Sequence, residues 1–332
     1  MAAEREDWEG SWPGETQVFS ETACFLCGVE LTDNTRTDED VLPKWLLGEF
    51  NVWNARLDLL NGTSIKYAQL KIPCCSTCNN EFLSRIENRV RTAYAGGYEA
   101  FCALDRDVLF LWLAKVLYGL LVREMSLPLD RSNWDAGPIV EPDFLAQFRM
   151  HHYLLQGAIE RVEWEGNPAS ILLYRTQVSE TPEHNFDFSD GPFGPFISMR
   201  LGPIGIIAVL QDWGALEAHA WAQLEGAREL DLAPLQFREV MAIGRFWAYK
   251  FNRVPKYLVD QRDGRGHVMV MPLGGLSGKP LWNEFDHNEY AHMLAASLGV
   301  AVERVLVRDK LRTFLKDDDD NPCVIPFDAW FE

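Results

Sequence analysis

Cys24-Phe25-Leu26-Cys27 and Cys75-Ser76-Thr77-Cys78-Asn79-Asn80 are two Cys-x-x-Cys turns, with 47 residues between Cys27 and Cys75. Each turn presents two thiolates from one tight loop, and Zn²⁺ takes four such ligands in a tetrahedron. The spacing predicts a structural zinc held by Cys24, Cys27, Cys75 and Cys78. Cys74 can stand in for Cys75 only by breaking the two-residue spacing of its turn. A redox pair, or thiols without metal, is the plainer alternative, and two matched turns argue against it. Four cysteine ligands leave the ion no open position, so it would hold the fold and do no chemistry.

Between the turns lies Asp38-Glu39-Asp40-Val41-Leu42-Pro43-Lys44-Trp45. Behind the second turn, residues 81–94 have helical spacing, with Phe82, Ile86, Val90 and Ala93 along one stripe. A carboxylate at a strand end and an amide oxygen in a helix's first turn suit Mg²⁺ or Mn²⁺, which prefer oxygen ligands. Asn80, Ser84, Glu87 and Arg91 recur on one face of that helix. Arg85 and Arg89, four apart, are placed to meet phosphate oxygens beside it, or to pair with Glu81 and Glu87 on their own helix.

In this order of motifs the stretch resembles the zinc-containing HNH endonucleases. The matching elements are Cys24-x-x-Cys27, Glu39-Asp40-Val41-Leu42-Pro43-Lys44-Trp45, and Cys75-x-x-Cys78-Asn79-Asn80 with Glu87 further on. The resemblance covers about 70 residues and implies a ββα-metal fold gripping one catalytic divalent ion. It implies that Glu39 binds that ion, and that Asn79 or Asn80 completes its surroundings. It also implies a general base at position 40, where the family has histidine and this chain has Asp40. An ordinary carboxylate is a weaker base than imidazole near neutral pH, and loss of the imidazole costs on the order of 10²–10⁴-fold in rate. A catalytically impaired module follows, unless Asp40 acts in its place or a histidine arrives from His151 onward; none lies earlier. Proteins with this module often serve bacterial defence against foreign DNA, and that too is only implied.

The chain of 332 residues carries a formal charge of −18, which speaks against a general nucleic-acid binder. Residues 1–21 hold one basic and six acidic groups, whereas residues 22–95 hold eight and nine, so the module itself is nearly neutral. Residues 238–256 and 304–316 are locally basic and read as solvated helix faces, with a phosphate-binding surface as the lesser reading. The acidic start lacks the apolar segment of a secretory signal, and the longest apolar run, 108–122, is interrupted by Lys115 and too short to span a membrane. Seven cysteines, four of them in paired turns, suit a reducing compartment. The expectation is a cytoplasmic protein without a membrane segment.

The predicted architecture is α+β, in three parts. Residues 1–21 form an acidic tail, 22–95 a small zinc-bound HNH-like module ending near Gly96-Gly97, and 96–332 a larger mixed α/β domain. In that domain residues 106–125, 144–162, 235–251 and 288–297 read as helices, and 171–178, 196–201, 204–210, 267–273 and 323–327 as strands. Residues 126–142, with three prolines, read as a loop. Gly274-Gly275-Leu276-Ser277-Gly278-Lys279-Pro280 lacks the spacing and the Ser or Thr of a P-loop and reads as a plain turn. His151-His152 reads as a surface or interface pair, and Trp45, Trp53 and Trp112 as core. The functional expectation is an HNH-nuclease-related protein engaging nucleic acid, DNA before RNA, with impaired metal-dependent phosphodiester hydrolysis. The alternative is a non-catalytic zinc-stabilised scaffold that binds another protein. An acidic DNA mimic fits the charge but leaves the cysteine turns unexplained.

Overall fold

The computed structural model describes residues 20–329 apart from 192, 220–223, 225, 254–255, 271–279, 309, 318 and 320. The acidic tail lies almost wholly outside these residues, as do the glycine-rich turn at Gly274 and the end of the strand expected over 267–273.

The N-terminal part is built on a two-stranded antiparallel ladder, β1 (Arg36–Asp40) with β4 (Lys71–Cys75). Its register sets Arg36 opposite Cys75 and Glu39 opposite Ile72. Between these strands come helix α1 (Lys44–Glu49) and a small hairpin, β2 (Arg56–Asp58) with β3 (Ser64–Lys66). β4 runs through the second cysteine turn into a π-helical stretch, Cys78–Leu83, and then α2 (Ser84–Ala95). The wide turn sits between the ligand Cys78 and the regular helix. α3 (Gly97–Cys102) follows at once.

α4 (Arg106–Met125) starts at an Asp105 cap, whose carboxylate accepts from Asp107 N. Sixteen of its twenty residues are buried, so it has no solvent stripe and must run through the centre. It lies close to the ladder because of Gly119: a Cβ there would meet Ile72 Cδ1 and Val41 Cγ2 at 3.1 Å. The proline-rich stretch expected to be a loop contains a hairpin, β5 (Pro128–Asp130) with β6 (Asn133–Pro138). The single helix expected over 144–162 is broken into α5 (Pro142–Ala146) and α6 (Arg149–Leu155), followed by strand β7 (Val162–Glu165).

The main sheet combines β8 (Ser170–Thr176), β9 (Phe186–Gly191), β10 (Phe196–Leu201), β11 (Ile204–Val209) and the short β12 (Asp231–Leu232). Their order is β12-β8-β11-β10-β9, antiparallel except for the β12–β8 edge. Gly202, at φ +57°, makes the turn expected between β10 and β11. Every residue of these two strands is buried, and their alternation separates two cores. Ile197, Met199, Leu201, Ile204 and Ile206 join the core of α4 and the N-terminal part. Phe196, Ile207 and Val209 face the other core, built with α7 (Ala215–Ala218), α8 (Pro234–Lys250) and α9 (His287–Leu298). A second sheet of three strands adds β13 (Tyr257–Arg262) and β14 (Arg265–Val270), with β14 parallel to β7. Residues 323–327 form no strand among the described residues.

The architecture is mixed α+β. The buried apolar residues of 22–95 run without a break into α4 and one face of the main sheet. Gly96-Gly97 is therefore a bend between two helices over a shared core, and the cysteine turns rest on the same core as α4.

Candidate metal centre

The first cysteine turn is closed by Cys24 N donating to Val29 O (2.8 Å) and Gly28 N donating to Cys24 O (2.9 Å). Gly28 sits at φ +73°, a conformation that an L side chain resists. Phe25 N then donates to Pro73 O at 2.9 Å, which fixes this turn beside the end of β4. In the second turn Cys78 N points at Cys75 Sγ, 3.4 Å away.

The ligand atoms of Cys24, Cys27, Cys75 and Cys78 all lie within 4.8 Å of one another. Cys27 Sγ and Cys75 Sγ are 3.8 Å apart, and a tetrahedral Zn–S bond of about 2.3 Å requires S···S edges of about 3.8 Å. The donor set and its size fit a structural ion such as zinc. All four residues are free of disulfides. Cys74, whose Sγ is 3.8 Å from that of Cys24, is not among the four that lie mutually within 4.8 Å. Hydrogen bonds from Cys27 first, then Cys74 and Cys78, pull the Cys24 thiol far below its ordinary range.

α6 clamps the first turn from behind. His152 Nε2 donates to Phe25 O at 3.0 Å, and Gln156 Nε2 donates to Leu26 O. His151 and His152, expected as a surface or interface pair, are both buried within the chain. His151 Nε2 donates to Ala114 O at 2.9 Å, so each histidine spends a ring nitrogen on a backbone carbonyl. Burial pushes both imidazoles down to about 4, against the pull of those carbonyls, and they are neutral near pH 7. Neither is bonded to Asp40.

Glu39 lies on the far side of the ladder from solvent, and its partner is Lys115 of α4. Lys115 Nζ is 2.6 Å from Glu39 Oε1 and 2.9 Å from Glu87 Oε1. The same ammonium donates to Asp40 O at 2.7 Å and to Val41 O at 3.2 Å. The side chains of Lys115 and Glu39 are only 2% and 6% exposed. Burial works against the ammonium, but Glu39 and Glu87 outweigh it and hold the Lys115 pKa above its ordinary value. Burial pushes Glu39 up to about 7 against the pull of Lys115, and the charge of Glu87 adds to the rise.

The other residues read as site candidates are distributed as follows. The Asp40 carboxylate pairs with Lys44, four residues on at the start of α1, at 3.3 Å. Asn79 Nδ2 donates to Thr37 Oγ1 (3.1 Å) and Asp38 O (3.3 Å), tying the π-helical stretch to β1. Asn80 is exposed and takes no part in the Lys115 network; its carbonyl accepts from the Ser84 hydroxyl. Arg85 and Arg89 pair with neither Glu81 nor Glu87. They reach Glu160 at 3.1 Å and Asp105 at 3.4 Å, carboxylates outside their own helix. Together with Asn88, Thr92 and Leu104 they line an open groove of about 560 Å³.

Thus the structure gathers the four cysteines, and separately gathers Glu39 with Glu87 around a lysine. Sequence reading assigned no role to Lys115, His152 or Gln156. The only signal for Lys115 was a lone charge inside an apolar helix, which a buried partner would explain. Among the tryptophans, Trp112 is core, Trp45 half-buried and Trp53 exposed. The basic stretch of α8 is internally matched, with Arg238 on Asp187 (3.0 Å) and Arg245 Nη2 on Asp190 O (2.8 Å). No helix among the described residues is long and apolar enough to cross a membrane. No protein-family model, curated protein or solved structure matches the chain.

Proposed function

We propose that the chain is a zinc-stabilised relative of the HNH nucleases that does not cleave phosphodiesters and acts as a scaffold binding another protein. One observation carries this reading. Glu39, the residue that would hold a catalytic Mg²⁺ or Mn²⁺, is bound 2.6 Å from the buried ammonium of Lys115. A cation already fills the place, and it offers no water to activate. Asp40, in the position of the general base, is engaged with Lys44. The charge of −18 favours a protein over a polyphosphate partner. Zinc in the four-cysteine centre would be structural, holding the turns against the α4 core.

A second reading rests on the groove beside α2. Arg85 and Arg89 are 61% and 49% exposed, and so are their partners, at 57% and 51%. Surface ion pairs are worth about 0–1 kcal/mol, so phosphate oxygens could replace these carboxylates at little cost. In this reading the protein binds DNA without cutting it.

One experiment separates these readings from each other and from a nuclease. Purified protein is incubated with plasmid, single-stranded DNA and RNA in Mg²⁺ or Mn²⁺, with Glu39→Ala as control. The expected result is no cleavage. Cleavage by the wild type that disappears in Glu39→Ala overturns the proposal. Salt-sensitive DNA binding lost in Arg85→Ala/Arg89→Ala moves the assignment to the second reading.

A further inference from the structure

Arg200 of β10 is only 3% exposed, and a guanidinium keeps its charge inside a protein. Its Nη2 donates to His184 O. Its Nε and Nη1 are sealed from solvent and have no acceptor among the described residues. The ladder sets Asp187 of β9 directly opposite Arg200, yet that carboxylate is bonded to Arg238 Nε of α8 at 3.0 Å. Two guanidiniums thus share one carboxylate, and the more deeply buried one goes without. We infer that Arg200, with Arg238 beside it, forms a binding site for a small organic carboxylate, whose anionic end meets Nε and Nη1 of Arg200.

Three observations support the inference. The first is the chemistry of the unmet groups. Buried polar groups are hydrogen-bonded and buried charges are paired in the great majority of folded proteins. A water molecule can accept from Nε and Nη1, but it leaves the positive charge unbalanced. Burial pushes the guanidinium down to about 10; Asp187 opposes the fall and Arg238 adds to it, so the group is a cation at neutral pH. The second is the charge count. Two guanidiniums against Asp187 leave a surplus of one, which a carboxylate matches. A phosphate dianion would exceed it and crowd Asp187. The third is access. Arg238 and Asp187 are 34% and 24% exposed, so the site borders solvent on their side. Phe327 lies over the guanidinium, its ring centroid 5.8 Å from Arg200 Cζ. That ring belongs to residues 323–327, which are tied down two and four residues earlier, by Gln177 Nε2 donating to Ile325 O (2.9 Å) and Gln236 Nε2 to Cys323 O (2.7 Å). An apolar body attached to the carboxylate can take the place of the ring while both ties hold.

Arg200 shares the sheet face of Phe196, four residues earlier, which packs against α8. The four-cysteine centre rests on the core behind the other face, so this inference stands apart from the proposed function. Acetate and benzoate are titrated into the full-length wild type, followed by calorimetry and thermal unfolding. Benzamide serves as the uncharged counterpart of benzoate, and inorganic phosphate as the dianion. The expected result is saturable carboxylate binding that raises the melting temperature, with no response to benzamide. Arg200→Gln, which keeps a donor for His184 O, should weaken binding about 10–100-fold through loss of a charge-assisted hydrogen bond. Asp187→Asn should tighten it, because a competing carboxylate is gone. Arg238→Gln, at a partly exposed position, serves if Arg200→Gln folds poorly; it should also weaken binding, since it frees Asp187 for Arg200. Absence of saturable binding of both carboxylates by the folded wild type overturns the inference. So do a response to benzamide equal to that of benzoate, and undiminished binding by a folded Arg200→Gln or Arg238→Gln. Phosphate binding where both carboxylates fail overturns the choice of ligand.

Discussion

Lys115 Nζ and Glu39 Oε1 stand 2.6 Å apart in the centre of the molecule, joining the middle of α4 to the end of β1. The pair sets a buried carboxylate against a covalently tethered cation, and Glu87 closes the group at 2.9 Å. Replacing a whole buried ion group by apolar residues is often neutral, whereas removing one partner is strongly destabilising.

Removing one member should therefore hurt more than removing all three. Lys115→Met leaves the buried Glu39 and the partly buried Glu87 without their cation and should cost about 3–5 kcal/mol of unfolding free energy. Glu39→Leu/Lys115→Met/Glu87→Leu should be the more stable of the two variants because it strands no carboxylate, although both leave the Asp40 and Val41 carbonyls without the lysine donor, at about 1–3 kcal/mol each. Urea unfolding at neutral pH measures both. A triple variant much less stable than Lys115→Met would show that the three charges contribute net stability.

Metal analysis should find about one zinc per chain. Cys24→Ser, Cys27→Ser, Cys75→Ser and Cys78→Ser should each lose it, while Cys74→Ser keeps it. Structural zinc sites contribute about 10–16 kcal/mol in small metal-folded peptides, comparable with the whole stability of a domain. The ligand variants should accordingly be poorly soluble. Retention of zinc by Cys75→Ser together with its loss in Cys74→Ser would exchange the two residues' roles.

The clamp from α6 predicts an effect on the metal centre from residues that touch no metal. Gln156→Ala should cost about 1–3 kcal/mol, because it strands the buried carbonyl of Leu26. His152→Ala should cost a similar amount through Phe25 O. Both variants should release zinc to a chelator faster than wild type, by about 10–100-fold if they act as outer-shell partners of other metal sites do. Unchanged release with lowered stability would reduce the clamp to ordinary core.

Glu239 predicts the pH dependence of stability. Burial pushes its carboxyl up to about 7 from 4.5, although the Thr313 hydroxyl and Phe314 N–H, each at 2.6 Å, oppose the rise. Between these two values the folded chain holds a proton that the unfolded chain has released. The stabilisation is therefore fully present below 4.5, is lost progressively as pH rises from 4.5 to about 7, and is gone above that. The full swing is at most on the order of 3 kcal/mol. His151 and His152, pushed down from 6.5 to about 4, act over an overlapping range in the opposite sense, so the Glu239 effect is read as the difference between wild type and Glu239→Gln across pH 4.5–7. Glu239→Gln should remove this contribution across pH 4.5–7, while those of Glu39 and Glu124, also pushed up to about 7, persist. An unchanged slope would place the Glu239 pKa elsewhere.

Several elements were legible in the sequence because they depend on neighbours along the chain. Two Cys-x-x-Cys turns need only tight local backbone to present their sulfurs, and the four ligands came together as their spacing predicted. α4, β10 and β11 follow from apolar periodicity and begin and end within a residue of expectation. Gly202 made the turn it was assigned.

What the tertiary structure alone decided is where those elements lie against one another. Lys115 is 75 residues from Asp40 and 28 from Glu87, and nothing in the local pattern of α4 says which carboxylates it will meet. His152 and Gln156 reach Phe25 and Leu26 across 127 and 130 residues, so their burial could not be read from the helix that carries them. Local chemistry fixes turns, periodicity and ligand type over a few residues. The partner of a buried charge is set by the packing of distant segments on one core, and here that packing put a lysine where the sequence pointed to a metal ion.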